Sequence, residues 1–157
     1  MVTNTSIESR AREDLTTAIT LLERIGIIDF NGHFSVRLPD GNILINSGSS
    51  VRCAIGMDDF VVVTPDGTAP ENAPAPPAEL PLHLAVYQAR PDVHAVVHGH
   101  PEWSTLLSST GHDYQVVLPQ GALLGAVPVF ESPMSVNNDR IAGAVAGKLA
   151  GGRATLL

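Results

Sequence analysis

The sequence predicts an α/β domain built in layers, and three observations lead to this prediction. Residues 6–26 carry apolar side chains at helical spacing, which indicates an amphipathic helix that ends near Gly26. An alternating segment at 34–38 and an apolar run at 43–45 flank the turn sequence Pro39-Asp40-Gly41-Asn42, which is typical of a β-hairpin. Helical and strand patterns then alternate along the chain, which favours a layered fold containing both.

The later elements follow from the same kinds of pattern. Six of the twelve prolines lie in residues 65–81, which predicts an irregular surface loop rather than a linker between domains. The short apolar run at 95–97 is typical of a strand that is buried on both faces of a sheet. After the hairpin we expect a strand at 60–64, helices at 81–90, 101–109 and 138–150, strands at 95–97, 114–118 and 126–130, and the start of a strand at 154–157.

The chain is expected to form one domain over residues 1–157. Its 157 residues, 44% of them hydrophobic, are enough to bury a core and too apolar for a disordered protein. A strand that starts at residue 154 would have no continuation. We therefore expect the C-terminal part of the domain to be missing and the natural polypeptide to be longer.

Composition and charge exclude several classes of function. Nine Lys and Arg against 16 Asp and Glu give a net charge of −7, which disfavours a nucleic-acid partner. The sequence has no apolar stretch of the ~18 residues that a membrane helix needs, and its polar N-terminus is unlike a signal peptide. Cys53 is the single cysteine and allows no intrachain disulfide. We expect a cytoplasmic protein with no membrane partner.

A pair of histidines at the end of a predicted strand carries the first chemical signal. His98 and His100 are separated by Gly99, so in a strand their side chains would point to the same face. Two imidazoles on one face form a natural metal chelate, and the glycine leaves space for a ligand. The alternative is a strand end with two solvated histidines.

Two further segments contain residues suited to a site. Glu79 and His83 lie four residues apart at the start of a predicted helix. They could supply a general acid/base or an additional metal ligand. The alternative is that Glu79 only caps the helix. Gly32 and His33 follow the first helix, where a left-handed glycine and exposed amides would hold an anion. The alternative for this second segment is an ordinary connection between helix and strand.

The segments NGHFSVR, PAELPLH and HAVVHGH, in this order, resemble the class II aldolase/adducin family from about residue 8 to the end of the chain. The resemblance implies a three-layer α/β/α fold with a largely antiparallel central sheet. It also implies a divalent metal on His98 and His100, with Glu79 as the catalytic acid/base. Such proteins are commonly homotetramers with active sites at subunit interfaces.

The chain departs from the family pattern at two places. The family's usual third metal histidine would follow the segment at 153–157, where this sequence stops. The sugar-phosphate enzymes of the family hold phosphate with Gly-Asn in the first loop and two serines before the glutamate, whereas this chain has Gly32-His33 and Pro77-Ala78. Ser47, Gly48 and Ser49 remain as candidate substrate-binding residues together with His33. Because part of the phosphate-binding set is absent, a hydroxylated aromatic or heteroaromatic carboxylate is the better fit.

The sequence thus favours a divalent-metal-dependent carbon–carbon lyase, with decarboxylation as the preferred reaction. Zinc, manganese, cobalt and iron all remain open, because imidazole suits each of them. The first alternative is an aldolase or epimerase that acts on a small hydroxy-carbonyl compound. The second is a non-catalytic, adducin-like interaction module. In each enzymatic reading the partner is a small molecule, and the chain is expected to form a homo-oligomer.

Overall fold

The computed structural model describes residues 4–157, and these residues contain four α-helices and four β-strands. The elements, in chain order, are α1 (Asn4–Arg24), β1 (His33–Arg37), β2 (Ile43–Asn46), β3 (Phe60–Val63), α2 (Leu80–Ala89), β4 (Ala95–His98), α3 (Glu102–Ser109) and α4 (Asp139–Leu149). Short 3₁₀ turns lie at Arg52–Ala54, Met57–Asp59 and Gly121–Leu124. The predicted hairpin, the helices and the strands near residues 60 and 95 are confirmed. The expected burial of the strand at 95–97 on both faces is wrong, because β4 lies at the edge of the described sheet and Val97 is 55% exposed.

The four strands form one antiparallel sheet in the order β3-β2-β1-β4. The β1–β2 hairpin turns at Gly41, whose φ of +89° is readily adopted only by glycine. The Asp40 carboxylate accepts a hydrogen bond from the Asn42 amide in the same turn, at 3.0 Å. Pairing of β1 with β4 places His33 directly opposite His98.

The alternation of side chains along the strands produces three layers. Phe34, Leu44 and Phe60 point to the sheet face that is covered by α1, where they pack with Leu15 and Ile19. The opposite face packs against α2, through the residues Ile43, Ile45, Val61, Val63, Leu80 and Tyr87. Helix α4 packs on α2 through a further cluster, which comprises Leu82, Val136, Ile141, Ala142 and Val145. The fold is therefore the expected α/β/α arrangement around an antiparallel sheet.

The strands expected at 114–118 and 126–130 are wrong. Residues 114–118 form no regular structure, and the side chain of Val117 is 84% exposed. In the second segment Val129 makes one isolated parallel bridge, to Leu156. An apolar run becomes a strand only when another strand offers hydrogen-bonding partners. No described strand lies beside these segments, so their apolar composition was a misleading signal.

Among the described helices, none is long and apolar enough to cross a membrane.

Loss of core packing beneath α1 is expected to destabilise the domain strongly. Ile19 is fully buried between α1 and the sheet, so Ile19→Ala removes buried methyl groups and leaves a cavity. We expect the free energy of unfolding to fall by about 2–5 kcal/mol, measured by urea denaturation. The matched control is Leu21→Ala, because Leu21 lies on the same helix and is 55% exposed. Its expected cost is within about 0.5 kcal/mol, and equal losses in the two variants would contradict the layer assignment.

Candidate metal and active site

Two histidines and one glutamate meet where β1 begins, β4 ends and α2 begins. His33 is the first residue of β1 and His98 is the last residue of β4, so their side chains lie on the same face of the sheet. Their rings stack with centroids 5.3 Å apart and an interplanar angle of 21°. Glu79 immediately precedes α2, which packs on this face. Three distant parts of the sequence therefore supply the cluster.

The Glu79 carboxylate is held by hydrogen bonds at one oxygen and faces the two histidines with the other. Its Oε1 accepts hydrogen bonds from the Ser135 hydroxyl at 2.7 Å and from the Val136 amide at 2.9 Å. Its Oε2 lies 3.2 Å from Nε2 of His98 and 3.9 Å from Nδ1 of His33. The side chain makes no capping hydrogen bond to α2, so the simple helix-cap reading of Glu79 is wrong.

The surroundings of Glu79 favour its ionised form. Burial acts to raise the pKa of the carboxyl group, but the hydrogen bonds from Ser135 and Val136 and the nearby His98 outweigh burial. The net result is a pKa below the ordinary value. At neutral pH, Glu79 is therefore an anion that can accept a proton or bind a cation.

The cluster fits a divalent cation. One donor atom each from His33, Glu79 and His98 lies within 4.8 Å of the others. The buried Nδ1 of His33 has no hydrogen-bond partner among the described residues, although buried polar atoms are usually paired. Burial, followed by the neighbouring His98, lowers the pKa of His33 to about 4. The ring is therefore neutral at pH 7, as a metal-binding imidazole must be.

His100 lies next to this donor group but is not part of it. Strand β4 ends at His98, so the strand alternation expected for the two histidines does not extend to His100. Its ring centroid is 4.9 Å from that of His98, and its Nδ1 is 3.2 Å from a carboxylate oxygen of Asp29. A hydrogen bond from histidine to a carboxylate is the usual outer contact of a metal-binding imidazole, since it orients the ring.

A buried hydrogen-bond chain lies beneath the cluster and joins α2 to β1. The Ser35 hydroxyl is 2.7 Å from Nδ1 of His83 and 2.8 Å from the Tyr87 hydroxyl. The His83 ring meets His33 edge-on, with centroids 5.9 Å apart. His83 is fully buried, and this burial lowers its pKa to about 3. It is therefore a neutral packing and orienting residue, and it lies outside the donor group described above.

The loop that carries the candidate substrate-binding residues Ser47, Gly48 and Ser49 has two of its amides committed elsewhere. The Ser47 amide donates to the Asp59 carbonyl at 2.7 Å, and the Gly48 amide donates to the Ala75 carbonyl at 3.0 Å. A Cβ atom on Gly48 would lie 3.2 Å from the Pro76 carbonyl oxygen, so glycine is needed for this close approach. The Ser47 and Ser49 hydroxyls lie 3.4 Å apart at this loop.

The structure adds Arg52, which the sequence patterns did not single out. Its side chain is 4% exposed; Nε donates to the Gly32 carbonyl at 2.6 Å and Nη1 donates to the Ser50 hydroxyl at 2.6 Å. Arg52 thereby ties the loop before β1 to the loop after β2. A cavity of about 380 Å³ lies above it, with walls that include His33, Gly48, Arg52, Pro77, Glu79 and Ser135. A lone arginine in a short segment without helix or strand periodicity gives no sequence signal of this burial.

A three-layer α/β/α domain with a histidine–glutamate cluster at the edge of its sheet is a candidate metal enzyme. Residues 13–157 match the family described as Class II Aldolase and Adducin N-terminal domain. The chain therefore belongs to the class II aldolase/adducin family, and the resemblance of the sequence motifs is confirmed. Metal binding is typical of this family.

Named relatives of the chain are lyases. It is 40% identical over 99 residues to methylthioribulose-1-phosphate dehydratase of Gluconacetobacter diazotrophicus. The matched region covers 62% of this chain and 48% of the relative. It is 29% identical over 147 residues to 3,4-dihydroxyphthalate decarboxylase of Arthrobacter keyseri, which covers 84% of this chain and 59% of that protein. The chain thus spans about half the length of these curated relatives.

The structure is also similar to a solved aldolase. L-fuculose-1-phosphate aldolase from Thermus thermophilus superposes with a TM-score of 0.80 at 28% identity. The similarity covers 94% of this chain and 75% of the aldolase chain. Relatives with a shared fold are thus named for dehydration, decarboxylation and aldol chemistry.

Acid stability is expected to depend on His83. The folded state keeps His83 neutral down to a pKa of about 3, whereas the unfolded chain takes up a proton below the ordinary value of 6.5. The stability linked to this group is complete above pH 6.5 and declines as the pH falls towards 3. We expect His83→Gln to flatten the decline of the unfolding free energy between about pH 7 and about pH 4.

The control for this prediction is the exposed His112, replaced by glutamine. His33 and His98 face His83 and contribute in the same direction, so part of the decline persists in every variant. Urea denaturation over the pH range gives the slopes. An equally steep decline in wild type and His83→Gln would show that the buried imidazole is not the source.

Proposed function

We propose that this protein is a divalent-metal-dependent carbon–carbon lyase that decarboxylates a hydroxylated aromatic or heteroaromatic carboxylate. The observation that carries the proposal is the cluster of an ionised Glu79 with the neutral imidazoles of His33 and His98. A carboxylate beside a metal-binding group is the combination that proton transfer with charge stabilisation requires. The decarboxylase relative, which covers 84% of this chain, supports the same reaction class.

The cavity lining supports a carboxylate substrate over a sugar phosphate. Pro77 and Ala78, which precede the glutamate, supply no hydroxyl group. The Ser47 and Gly48 amides are already used by Asp59 and Ala75. A phosphate dianion needs several convergent donors, and this wall supplies few. A planar carboxylate with an adjacent hydroxyl group needs fewer hydrogen-bond donors from the cavity wall.

We propose that His98 and His100 bind the metal and that His33 contributes the buried Nδ1 nitrogen. A divalent cation at this position supplies Lewis-acid stabilisation of the electron pair left behind as CO₂ departs. The Asp29 carboxylate orients His100, and the Ser35–His83 contact supports the strand that carries His33. Of the three candidate ligands, His100 thus has a second contact that orients its ring.

Glu79 is the proposed acid/base. The hydrogen bonds from Ser135 and Val136 fix its Oε1, so that Oε2 stays directed towards the histidines. As an anion, Glu79 accepts the proton of the substrate hydroxyl at Oε2. It then returns a proton to the carbon atom from which CO₂ has left. Ser47, Gly48 and Ser49 remain proposed contacts for the distal part of the substrate.

We further propose that the chain acts in the cytoplasm as a homotetramer. Large apolar side chains are exposed on α3 and on the segment that follows it, including Trp103 at 71%, Val117 at 84% and Leu123 at 70%. Exposed apolar side chains of this size favour burial in a subunit contact. Cys53 is free and exposed, which suits a reducing compartment.

An aldolase, epimerase or dehydratase acting on a small hydroxy-carbonyl substrate is the second candidate. It is favoured by the 40% identity to the methylthioribulose-1-phosphate dehydratase and by the Ser47 and Ser49 hydroxyls that remain at the loop. These reactions release no CO₂. A non-catalytic, adducin-like module would release no product at all.

Metal affinity is expected to distinguish the histidines. His98 faces Glu79 and His33 at the centre of the donor group, so His98→Ala is expected to abolish stoichiometric binding of Zn²⁺ or Mn²⁺. His33→Ala and His100→Ala are each expected to weaken binding by about ten- to hundredfold or more. Calorimetric titration of chelator-treated protein measures the affinities, with His112→Ala as control. A His98→Ala variant that still binds one metal ion per chain would exclude this site.

Loss of the Glu79 carboxylate is expected to stop turnover without removing the metal. Hydroxybenzoates, dihydroxyphthalates and their heteroaromatic analogues are screened for CO₂ release by the metal-loaded chain. In Glu79→Gln we expect a fall in kcat of about 10²–10⁴-fold, because the proton donor and acceptor is lost. The matched control is Glu102→Gln, since Glu102 lies on α3 and outside the cavity wall. Aldehyde or dehydrated product without CO₂ selects the second candidate, and undiminished CO₂ release by Glu79→Gln removes Glu79 from the mechanism.

A further inference from the structure

Arg52 is a buried cation without a carboxylate partner. Its side chain is 4% exposed, and none of its hydrogen bonds to the described residues goes to an acidic side chain. It contacts the Gly32 carbonyl and both oxygens of Ser50. Carbonyl and hydroxyl oxygens solvate a guanidinium group but do not neutralise it. Burial of a charge without an opposite charge is expensive, so an unpaired buried arginine requires an explanation.

The two nearest carboxylates are committed to other partners. Asp29 accepts hydrogen bonds from the Asn31 amide and faces His100, while Asp59 accepts a hydrogen bond from the Gly56 amide. Both attract Arg52 only from a distance, and neither forms an ion pair with it among the described residues. The positive charge of Arg52 therefore remains available to a third group.

Arg52 belongs to the wall of the candidate active site and has one nitrogen without a hydrogen-bond partner among the described residues. Nε and Nη1 are used by Gly32 and Ser50, whereas Nη2 makes no hydrogen bond to the described residues. Arg52 lines the same cavity as Glu79 and His33, and its charge acts on His33. The cavity thus has a proton-transfer group and a metal-capable cluster on one wall and a fixed cation on another.

We propose that Arg52 binds a second anionic group of the substrate, at the end remote from the carbon that loses CO₂, and that this group is a carboxylate. The inference rests on the proposed function and makes it narrower, because the substrate becomes a dianion. The free Nη2 group can donate a charge-assisted hydrogen bond to one oxygen of an anion, and the guanidinium charge attracts the anion as a whole. A phosphoryl group shares the anionic chemistry, but its three oxygens need more donors than this wall provides.

The positive charges of the site would lie at two separate points. Within the described residues, two carboxylates, Glu79 and Asp29, lie close to the histidine cluster, and Arg52 lies apart from both without an ion pair. A divalent cation on the histidines would add positive charge at the cluster, while Arg52 keeps its own. A reacting carboxylate at the metal and a second carboxylate at Arg52 would then each meet an opposite charge.

The test uses inert probes, so that binding is measured without turnover. The three isomeric benzenedicarboxylates and benzoate lack the hydroxyl group that the proposed reaction needs. Calorimetric titration of the Zn²⁺-loaded chain gives the affinity gained from a second carboxylate, as the ratio of dissociation constants for benzoate and the best-binding dicarboxylate. In wild type we expect a gain of about ten- to hundredfold, as for one hydrogen-bonded charge pair.

Variants of Arg52 test whether the affinity gained from a second carboxylate depends on this residue. In Arg52→Gln the ratio is expected to fall to about one, and in Arg52→Lys to an intermediate value, because lysine keeps the charge but loses the Nη2 donor that the contacts to Gly32 and Ser50 hold in place. Arg52→Lys also serves if Arg52→Gln fails to fold. The matched control is Arg37→Gln, since Arg37 is a partly buried arginine at the other end of β1 that binds the Tyr87 carbonyl. It is expected to keep the wild-type ratio.

Two results would overturn the inference: a wild-type protein that gains nothing from any dicarboxylate, or an Arg52→Gln protein that keeps the gain. Inorganic phosphate is titrated in parallel. Tight phosphate binding that depends on Arg52, with no gain from the dicarboxylates, would overturn the carboxylate assignment in favour of a phosphoryl group. Failure of the proposed function is distinguishable, because CO₂ release would then be absent while the effect of Arg52 on probe binding persisted.

Discussion

The pairing of β1 with β4 is the constraint on which the candidate site depends. It sets His33 opposite His98, although 65 positions of sequence separate them. A slip of one residue in this register would turn one of the two imidazoles to the opposite face, towards α1. Both rings instead face α2. Glu79 lies beside them because α2, which it precedes, packs on the same face of the sheet. The chemistry of the site thus follows from strand register and from one helix contact.

Strand β1 meets two different environments through its two faces. Phe34 and Leu38 belong to the apolar layer beneath α1. His33, Ser35 and Arg37 alternate with them and face α2, where a polar row would be costly without partners. Ser35 finds its partners in His83 and Tyr87, and Arg37 stacks on the Tyr87 ring at 4.9 Å. This polar packing fixes the helix that carries Glu79 to the strand that carries His33.

Sequence reasoning predicted the local parts of this arrangement and missed the parts that depend on distant contacts. The α1 periodicity and the hairpin at Gly41 are local signals, and both are confirmed. Residues 114–118 have strand-like composition but no neighbouring strand, and composition alone does not reveal this. His33 was expected to bind substrate from a loop. Its position opposite His98 depends on the β1–β4 register, which local sequence patterns do not reveal. Arg52 gave no signal, since its burial depends on two loops that close over it.

Sequence identity and cavity chemistry favour different substrates, and the cavity is the more direct evidence. The 40% identity to methylthioribulose-1-phosphate dehydratase extends over 62% of the chain, but one fold supports several reactions, so identity alone does not select the substrate. A substrate is selected by the groups that contact it. In this chain the wall of the proposed site contains Pro77 in place of a hydroxyl donor and a buried Arg52 with one free donor group. Because an unmatched phosphate would lose its hydration without regaining equivalent hydrogen bonds, these two residues support the proposed planar carboxylate substrate over a phosphate.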